Sequence, residues 1–117
     1  MAESEKTEND IKRALSLLGL AARGRNLVSG EDQVLAAIRD GTACAVVLAG
    51  DASPGTRKKF TDKTSYYHVP IRFLGDKVTL GKAIGREFRT SVAVTEAGLA
   101  AKLLELITNE ELPEVRI

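Results

Sequence analysis

The sequence predicts an α/β protein, a three-layer α/β/α sandwich with a small four-stranded mixed sheet, on three observations. Residues 43–49 form a continuous apolar run, typical of an interior strand covered by helices on both faces. Segments near each end repeat apolar side chains at three- and four-residue steps, as amphipathic helices do. Four strand candidates alternate with five helix candidates, which favours helices on both faces of a sheet.

The first predicted helix follows a polar, acidic start. Asn9 or Asp10 would cap it, apolar side chains then recur with helical spacing, and Gly24 ends it. Residues 23–26 form a basic loop, and residues 27–28 are long enough only for a small strand. We therefore expect a helix with one face turned inward, joined to a minor strand.

The second predicted helix begins at Ser29 or Gly30 and ends at Gly41, where glycine suits the position after a helix. The spacing Ser29-x-x-Asp32 approximates a capping box, and an acid in the first turn suits the helix dipole. The apolar run 43–49 follows as the central strand. A glycine-led helix start offers unpaired backbone N–H groups to an anion, so it is a candidate for binding a phosphate backbone or a base edge.

The third predicted helix opens at Ser53, because a cap residue is followed there by a proline. It extends to about Tyr66, and His68 beyond it is expected to be exposed rather than to act as a ligand or catalyst. Residues 69–74 are strand-like but contain a proline, which suits a strand start or an edge strand.

The last third of the chain predicts a short helix, a loop, a strand and a final helix. Asp76 caps the short helix, and residues 85–89 form a loop with two arginines around an aromatic residue. Residues 91–95 form the strand, and Thr95 would cap the final helix.

At 117 residues the chain fits a single domain with one core. We expect a flexible acidic tail over residues 1–8, a domain over residues 9–108 and a second tail over residues 109–117. The formal net charge of +1 hides an asymmetry, because residues 1–10 carry −3 and the last nine residues carry −2, which leaves +6 on residues 11–108. A domain with this excess of positive charge attracts a polyanion, and the acidic ends of the chain limit non-specific binding.

The single cysteine, Cys44 in the apolar run, rules out a disulfide framework and a Cys/His metal set. The polar start lacks the basic-then-apolar profile of a secretion signal, and no apolar run approaches ~18 residues. We therefore expect a cytoplasmic protein with no cofactor, no bound metal and no membrane association.

The sequence lacks the usual catalytic constellations. Gly75 and the run Gly81-Lys82-Ala83 have the wrong spacing for a phosphate-binding Gly-x4-Gly-Lys-Ser/Thr loop, and alanine lacks the hydroxyl that holds magnesium. Asp51, at the carboxyl end of the central strand, is the best lone catalytic candidate, although stabilising the turn explains it as well. We expect no enzyme, with a small-molecule or catalytic site near Asp51 as an alternative.

Short motifs in a fixed order extend over most of the chain. They are Leu18-Gly19-Leu20-Ala21, Val28-Ser29-Gly30, Ile38-Arg39-Asp40-Gly41, Val46-Val47-Leu48-Ala49, Leu80-Gly81-Lys82-Ala83-Ile84-Gly85 and Ser91-Val92-Ala93-Val94. In order and spacing they resemble the ribosomal-protein family of the L7Ae and L30e type, most closely its small bacterial members. The resemblance implies an α/β/α sandwich that binds kink-turn RNA, a helix–bulge–helix element with tandem sheared G·A pairs.

The resemblance also implies which part of helix 2 contacts RNA. The family's Gly-x-Asn-Glu-x-x-Lys segment falls on Gly30, Glu31, Asp32, Gln33 and Ala36. Three of its four characteristic positions therefore differ here. Gln33 keeps a carbonyl acceptor and gains a donor, so it can still contact guanine edges. Asp32 cannot donate as an amide would, and Ala36 loses a phosphate or base contact.

A second implied contact is the loop before the last strand, which in the family covers a flipped-out nucleotide with an apolar–acidic–apolar triplet. Glu87 fits that pattern, Phe88 can stack on an unpaired base at ~1–3 kcal/mol, and Arg86 replaces an apolar side chain with a cation. Cations elsewhere are candidates to compensate for the missing lysine: Arg25, Arg39 and Lys82.

The leading hypothesis is a non-catalytic RNA-binding protein that recognises structured, kink-turn-like RNA through the start of helix 2 and the loop at 85–89. Its candidate targets are ribosomal RNA or an mRNA leader, with association to the ribosome or another ribonucleoprotein, and neither DNA nor a membrane is an expected partner. The alternative is a protein-interaction module of the same fold that has lost RNA affinity through Asp32 and Ala36.

Overall fold

The computed structural model describes residues 2–108, with side chains from residue 8 onward. The predicted tail at 109–117 lies outside these residues. In chain order the elements are α1 (Ala2–Arg23), β1 (Leu27–Ser29), α2 (Glu31–Asp40), β2 (Ala45–Leu48), α3 (Pro54–Tyr67), β3 (Ile71–Phe73), α4 (Lys77–Ala83), β4 (Ser91–Val94) and α5 (Ala97–Leu106). The predicted alternation of five helices and four strands is confirmed in the described part of the chain.

One mixed sheet runs through the middle of the molecule in the order β1-β4-β2-β3. β4 is antiparallel to both of its neighbours, whereas β2 and β3 are parallel. Every residue of β2 and β4 is buried, as the continuous apolar run predicts for a strand covered on both faces. β3 lies at the edge of the sheet, and Pro70 directly precedes it and accepts the Val46 N–H through its carbonyl at 2.9 Å.

Helices cover both faces of the sheet, so the α/β/α prediction is confirmed. Alternate residues of a strand point to opposite faces. On one face, Val47 packs with a buried cluster that draws on α1, α4 and α5, including Leu18, Leu80 and Leu103. On the other face, a second cluster draws on α2 and α3, including Val34, Ile38, Val46, Leu48 and Phe60.

The first helix is longer than predicted, because α1 begins at Ala2 and not at a cap near Asn9 or Asp10. Residues 2–8 include alanine, glutamate and lysine, which favour helix, and they contain neither glycine nor proline. Apolar periodicity marks only the part of a helix that packs on a core, so it could not locate this start.

The predicted caps of α3 and α4 are confirmed. The Ser53 hydroxyl accepts the Thr56 N–H at 3.2 Å, and the Asp76 carboxylate accepts the Thr79 N–H at 2.8 Å. His68 ends α3 in the left-handed conformation, with φ 60°, and is exposed as expected.

Of the two predicted starts of α2, Gly30 is confirmed, whereas the Ser29 capping box and the Thr95 cap are wrong because strand pairing engages these residues. Ser29 belongs to β1 opposite Val92, so Gly30 becomes the N-cap of α2 and makes no side-chain capping bond. Thr95 donates its N–H to the carbonyl of Asn26 beyond the end of β4, and Glu96 instead caps α5 by accepting the Leu99 N–H.

Candidate functional site

The start of α2 lies beside the end of the loop that precedes β4. β1 pairs with β4 so that Ser29 is opposite Val92, and the Gly30 N–H donates to the Ser91 carbonyl at 3.0 Å. The two segments singled out in the sequence, residues 30–33 and 85–89, are therefore neighbours. We refer to them together as the α2–loop surface.

Gly30 sets the direction in which α2 leaves the sheet. Its φ of 96° and ψ of 151° lie in a region that only glycine adopts readily. Its carbonyl accepts the Val34 N–H, the first bond of the helix. Because no side chain caps this helix, the first-turn N–H groups are available to a ligand, with Asp32 and Gln33 exposed around them.

The loop at 85–89 is held against α4 by backbone contacts. Arg86 donates its N–H to the Gly81 carbonyl at 2.8 Å, and Arg89 donates its N–H to the Lys77 carbonyl at 2.9 Å. A Cβ at Gly81 would lie only 2.4 Å from the Phe88 Cα, so the loop packs directly on the helix backbone. The Phe88 side chain nevertheless remains 54% exposed.

Two cations at this surface, Arg89 and Lys77, were not named individually as contact residues, although Arg89 belongs to the predicted loop. The Arg89 Nε donates to the Ser29 hydroxyl at 3.0 Å, which joins the loop to the end of β1. The Lys77 Nζ lies 5.9 Å from the centre of the Phe88 ring. The basic composition of the loop was a signal for Arg89, but Lys77 becomes apparent only once α4 is placed against the loop.

An open pocket of about 230 Å³ lies within the α2–loop surface. Its lining includes Glu31, Thr56, Phe88, Arg89 and Thr90. The half-buried Arg89 therefore stands next to hydroxyl groups and an aromatic ring. Such a set can bind an anion or the polar edge of a base, with the ring available for stacking.

Glu31 links α2 to α3 at the rim of this pocket. Its carboxylate pairs with the Lys59 Nζ at 2.5 Å, and both side chains are close to half exposed. Because an exposed pair contributes little to stability, it can open when a more highly charged ligand approaches.

Two predicted contact residues, Arg25 and Arg39, lie away from the α2–loop surface, whereas Ala36 and Lys82 border it. Arg25 is in the turn before β1, at the end of that strand opposite to Gly30, and Arg39 is in the last turn of α2. Ala36 is half-buried on α2, one turn beyond Asp32 and Gln33. The Lys82 carbonyl accepts the Gly85 N–H at 3.1 Å, and the exposed Lys82 side chain lines a groove with Arg23 of α1. Glu87 and Arg86, by contrast, are exposed on the loop itself.

Asp51 supports the backbone at the start of α4. Its carboxylate accepts the Lys77 N–H at 3.0 Å, which explains an acid in the turn after β2 without a catalytic role. Asp76 caps the same helix, and the hydrogen bond from the Thr79 N–H holds the pKa of the Asp76 carboxyl below its ordinary value. The described residues include no cluster of three or more His, Cys, Asp or Glu side chains that could hold a metal ion.

Among the described helices, none has both the length and the apolar character needed to cross a membrane.

Comparison with known proteins identifies relatives along most of the chain. The chain is 50% identical over 91 residues to RNA-binding protein YlxQ of Bacillus subtilis (strain 168), covering 78% of this chain and 91% of that protein. It is 39% identical over 100 residues to RNA-binding protein YlxQ of Enterococcus faecium, covering 86% and 96%. These relatives are named for RNA binding and not for a reaction.

Solved structures share the fold of this chain. A Bacillus halodurans protein of unknown function superimposes with a TM-score of 0.77 at 44% identity, covering 80% of this chain and 94% of that one. The Giardia lamblia 15.5kD RNA binding protein superimposes with a TM-score of 0.75 at 20% identity, covering 86% and 90%. The sequence pattern of the family described as "Ribosomal protein L7Ae/L30e/S12e/Gadd45 family" matches residues 12–104 of the chain. The chain therefore belongs to the ribosomal protein L7Ae/L30e/S12e/Gadd45 family.

Proposed function

We propose that this protein binds structured RNA of the kink-turn type through the α2–loop surface and has no catalytic activity. The observation that carries the proposal is the contact between the glycine-led start of α2 and the loop that presents Phe88. The family and the names of two relatives support RNA as the ligand.

Each part of the surface suits a different part of such an RNA. The first-turn N–H groups of α2 and the side chain of Gln33 meet phosphates and guanine edges, and the exposed ring of Phe88 stacks on the unpaired nucleotide. Lys77, Arg86 and Arg89 supply positive charge beside the ring. Binding should weaken steeply with salt, since each phosphate contact adds roughly one unit to the logarithmic slope.

A fluorescence-anisotropy titration tests the proposal with a kink-turn RNA and a plain duplex of matched stems. We expect tighter binding of the kink-turn, and a loss of about tenfold or more for Phe88→Ala, because stacking on an aromatic is worth ~1–3 kcal/mol per base. Leu20→Ala is the matched control, since Leu20 on α1 is 53% exposed but lies outside this surface. Equal affinity for the two RNAs would remove the kink-turn specificity.

A protein-interaction module is the second candidate, favoured by the acid at Asp32 and the missing cation at Ala36. If it is correct, the parent chain binds no kink-turn RNA, and the combined change of Asp32→Asn with Ala36→Lys creates binding. Strong binding by the parent chain dismisses it.

A further inference from the structure

Tyr66 is an exposed aromatic side chain that the α2–loop surface does not include. The chain has two tyrosines, three phenylalanines and no tryptophan. Phe60 and Phe73 are buried, and Tyr67 packs partly against the α2 and α3 core. Phe88 serves the proposed RNA surface, whereas Tyr66, on the last turn of α3, is 75% exposed.

The Tyr66 ring is restrained although it is exposed. It meets the Tyr67 ring edge to face, with ring centres 4.8 Å apart and planes at 79°. Tyr67 in turn contacts the core, so the pair presents an aromatic surface with little freedom left to lose on binding. An exposed aromatic alone needs no explanation, so the residues around it decide whether it is a site.

Lysines accompany this aromatic pair on one face of α3. Lys59, Lys63 and Tyr66 are four and three residues apart, which places them on one side of a helix. Together with Asp62 and Tyr67 they line a groove of about 460 Å³. The Asp62 carboxylate is engaged by the Lys58 Nζ at 2.8 Å, and the hydrogen bond to that carboxylate raises the pKa of Lys58. We call Lys59, Lys63 and Tyr66 the α3 platform.

The α3 platform is continuous with the α2–loop surface. Lys59 pairs with Glu31, and Glu31 lines the pocket that contains Phe88 and Arg89. Thr56 of α3 lines the same pocket, and at 1.5 Å per residue Tyr66 lies about 15 Å further along the helix. A strand of a few nucleotides leaving the pocket can therefore reach the aromatic pair along a path lined with lysines.

We propose that the α3 platform binds single-stranded RNA flanking the structured element, with a base stacked on Tyr66 and phosphates on Lys63 and Lys59. Its position as an extension rests on the proposed RNA-binding function of the α2–loop surface. Lysines beside an open aromatic ring are the combination that holds single strands without strict sequence preference. A protein partner would use the exposed tyrosine but would gain nothing from an unpaired RNA flank.

The intrinsic fluorescence of the chain reports directly on the α3 platform. Because Tyr66 and Tyr67 are the only tyrosines and tryptophan is absent, tyrosine emission comes from the last turn of α3. We expect a single-stranded oligonucleotide of about six nucleotides to quench it. Quenching by this oligonucleotide without binding of a blunt kink-turn would support the platform and remove the proposed function of the α2–loop surface.

The second measurement compares a blunt kink-turn RNA with one that carries a flank of about six nucleotides. We expect the flank to tighten binding about tenfold in the parent chain and in Tyr66→Phe, and to add nothing in Tyr66→Ala, while all three bind the blunt RNA equally. Lys63→Gln should shrink the gain, whereas Lys102→Gln, an exposed lysine on α5, should not. Blunt RNA binding with no gain from the flank, or a gain that survives Tyr66→Ala, would overturn the proposal.

Discussion

Gly81 fixes how closely the loop at 85–89 approaches α4. A side chain at this position would meet the backbone of Phe88 at 2.4 Å from its Cα and 2.7 Å from its N, and a backbone cannot move aside as a flexible side-chain tip can. Helix propensity alone would favour alanine here, so glycine at this position serves the packing of the loop and not the helix.

We expect Gly81→Ala to destabilise the protein by about 1–3 kcal/mol, because overpacking displaces the backbone around it. Urea unfolding followed by circular dichroism measures the change. Gly55→Ala is the control, since a Cβ at Gly55, in the first turn of α3, would meet no atom within 4 Å beyond the adjoining residues and helix backbone, and alanine should leave stability unchanged or slightly raised. An unaltered urea midpoint for Gly81→Ala would contradict the close packing of loop and helix.

Among the elements, α4 carries both the loop contacts and Lys77, and its N-terminus is fixed by two carboxylates. Asp51 accepts the Lys77 N–H, and Asp76 accepts the Thr79 N–H. The folded-state pKa of Asp76 lies below its ordinary value because the ionised form is the better acceptor for the Thr79 N–H. Its stabilising contribution is therefore complete above the ordinary pKa of an aspartate and is lost as the pH falls through the lowered value.

We expect Asp76→Ala to lower stability at neutral pH and to lose its difference from the parent chain in acid. Thermal melts at a series of pH values measure this difference. Asp76→Asn should retain the cap but without its pH dependence, because an amide oxygen accepts the same N–H and does not titrate. A difference between the parent and Asp76→Ala that is constant down to strongly acidic pH would show that the carboxylate does not act through its charge.

The sequence was most informative where local rules decide the structure. The apolar run identified β2 as an interior strand, and Ser53-Pro54 and Asp76 marked two helix starts, because caps act within one turn. Ser29 and Thr95 followed the same local pattern but were wrong as caps, because pairing of β1 with β4 recruits their backbone. That pairing joins distant parts of the chain and leaves no local signature.

The candidate site also contains some residues that local motifs predict and others that they do not. Phe88 and the residues at the start of α2 could be singled out from motifs, and the structure brings these segments together. The positive charge of Arg25 and Arg39 made them candidate RNA contacts. The length of β1 separates Arg25 from that surface, and the length of α2 separates Arg39 from it. The positions of Lys77 and of the α3 platform result from the packing of whole helices, so no sequence motif predicts them.

For the whole molecule, charge is distributed unevenly along the chain. Residues 11–108 carry a formal charge of +6, and the last nine residues carry −2. Long-range attraction between such a body and RNA acts at low ionic strength and is screened within about 10 Å at 0.1 M salt. An acidic segment on the same chain therefore lowers the attraction for any RNA, whatever its structure.

We expect removal of residues 109–117 to raise affinity for a plain duplex severalfold at low salt, with the difference disappearing as salt increases. Anisotropy titrations of the truncated and full-length chains over a range of salt concentrations measure this difference in affinity. Full-length chain with Glu110 and Glu111 changed to glutamine is the control, and should behave like the truncation because it removes the same net charge of −2. An effect of the truncation that the glutamine variant lacks would point to a contact and not to charge.

The bond between the Gly30 N–H and the Ser91 carbonyl ties the start of α2 to the opposite half of the polypeptide. It exists only while β1 and β4 are paired, and that pairing closes a loop more than half the length of the chain. The Gly30 amide should therefore exchange its hydrogen with solvent only when β1 separates from β4. A truncated piece that retains the α2 start but lacks β4 would lose this bond, so we expect the start of α2 to take its recognition geometry only within the folded domain.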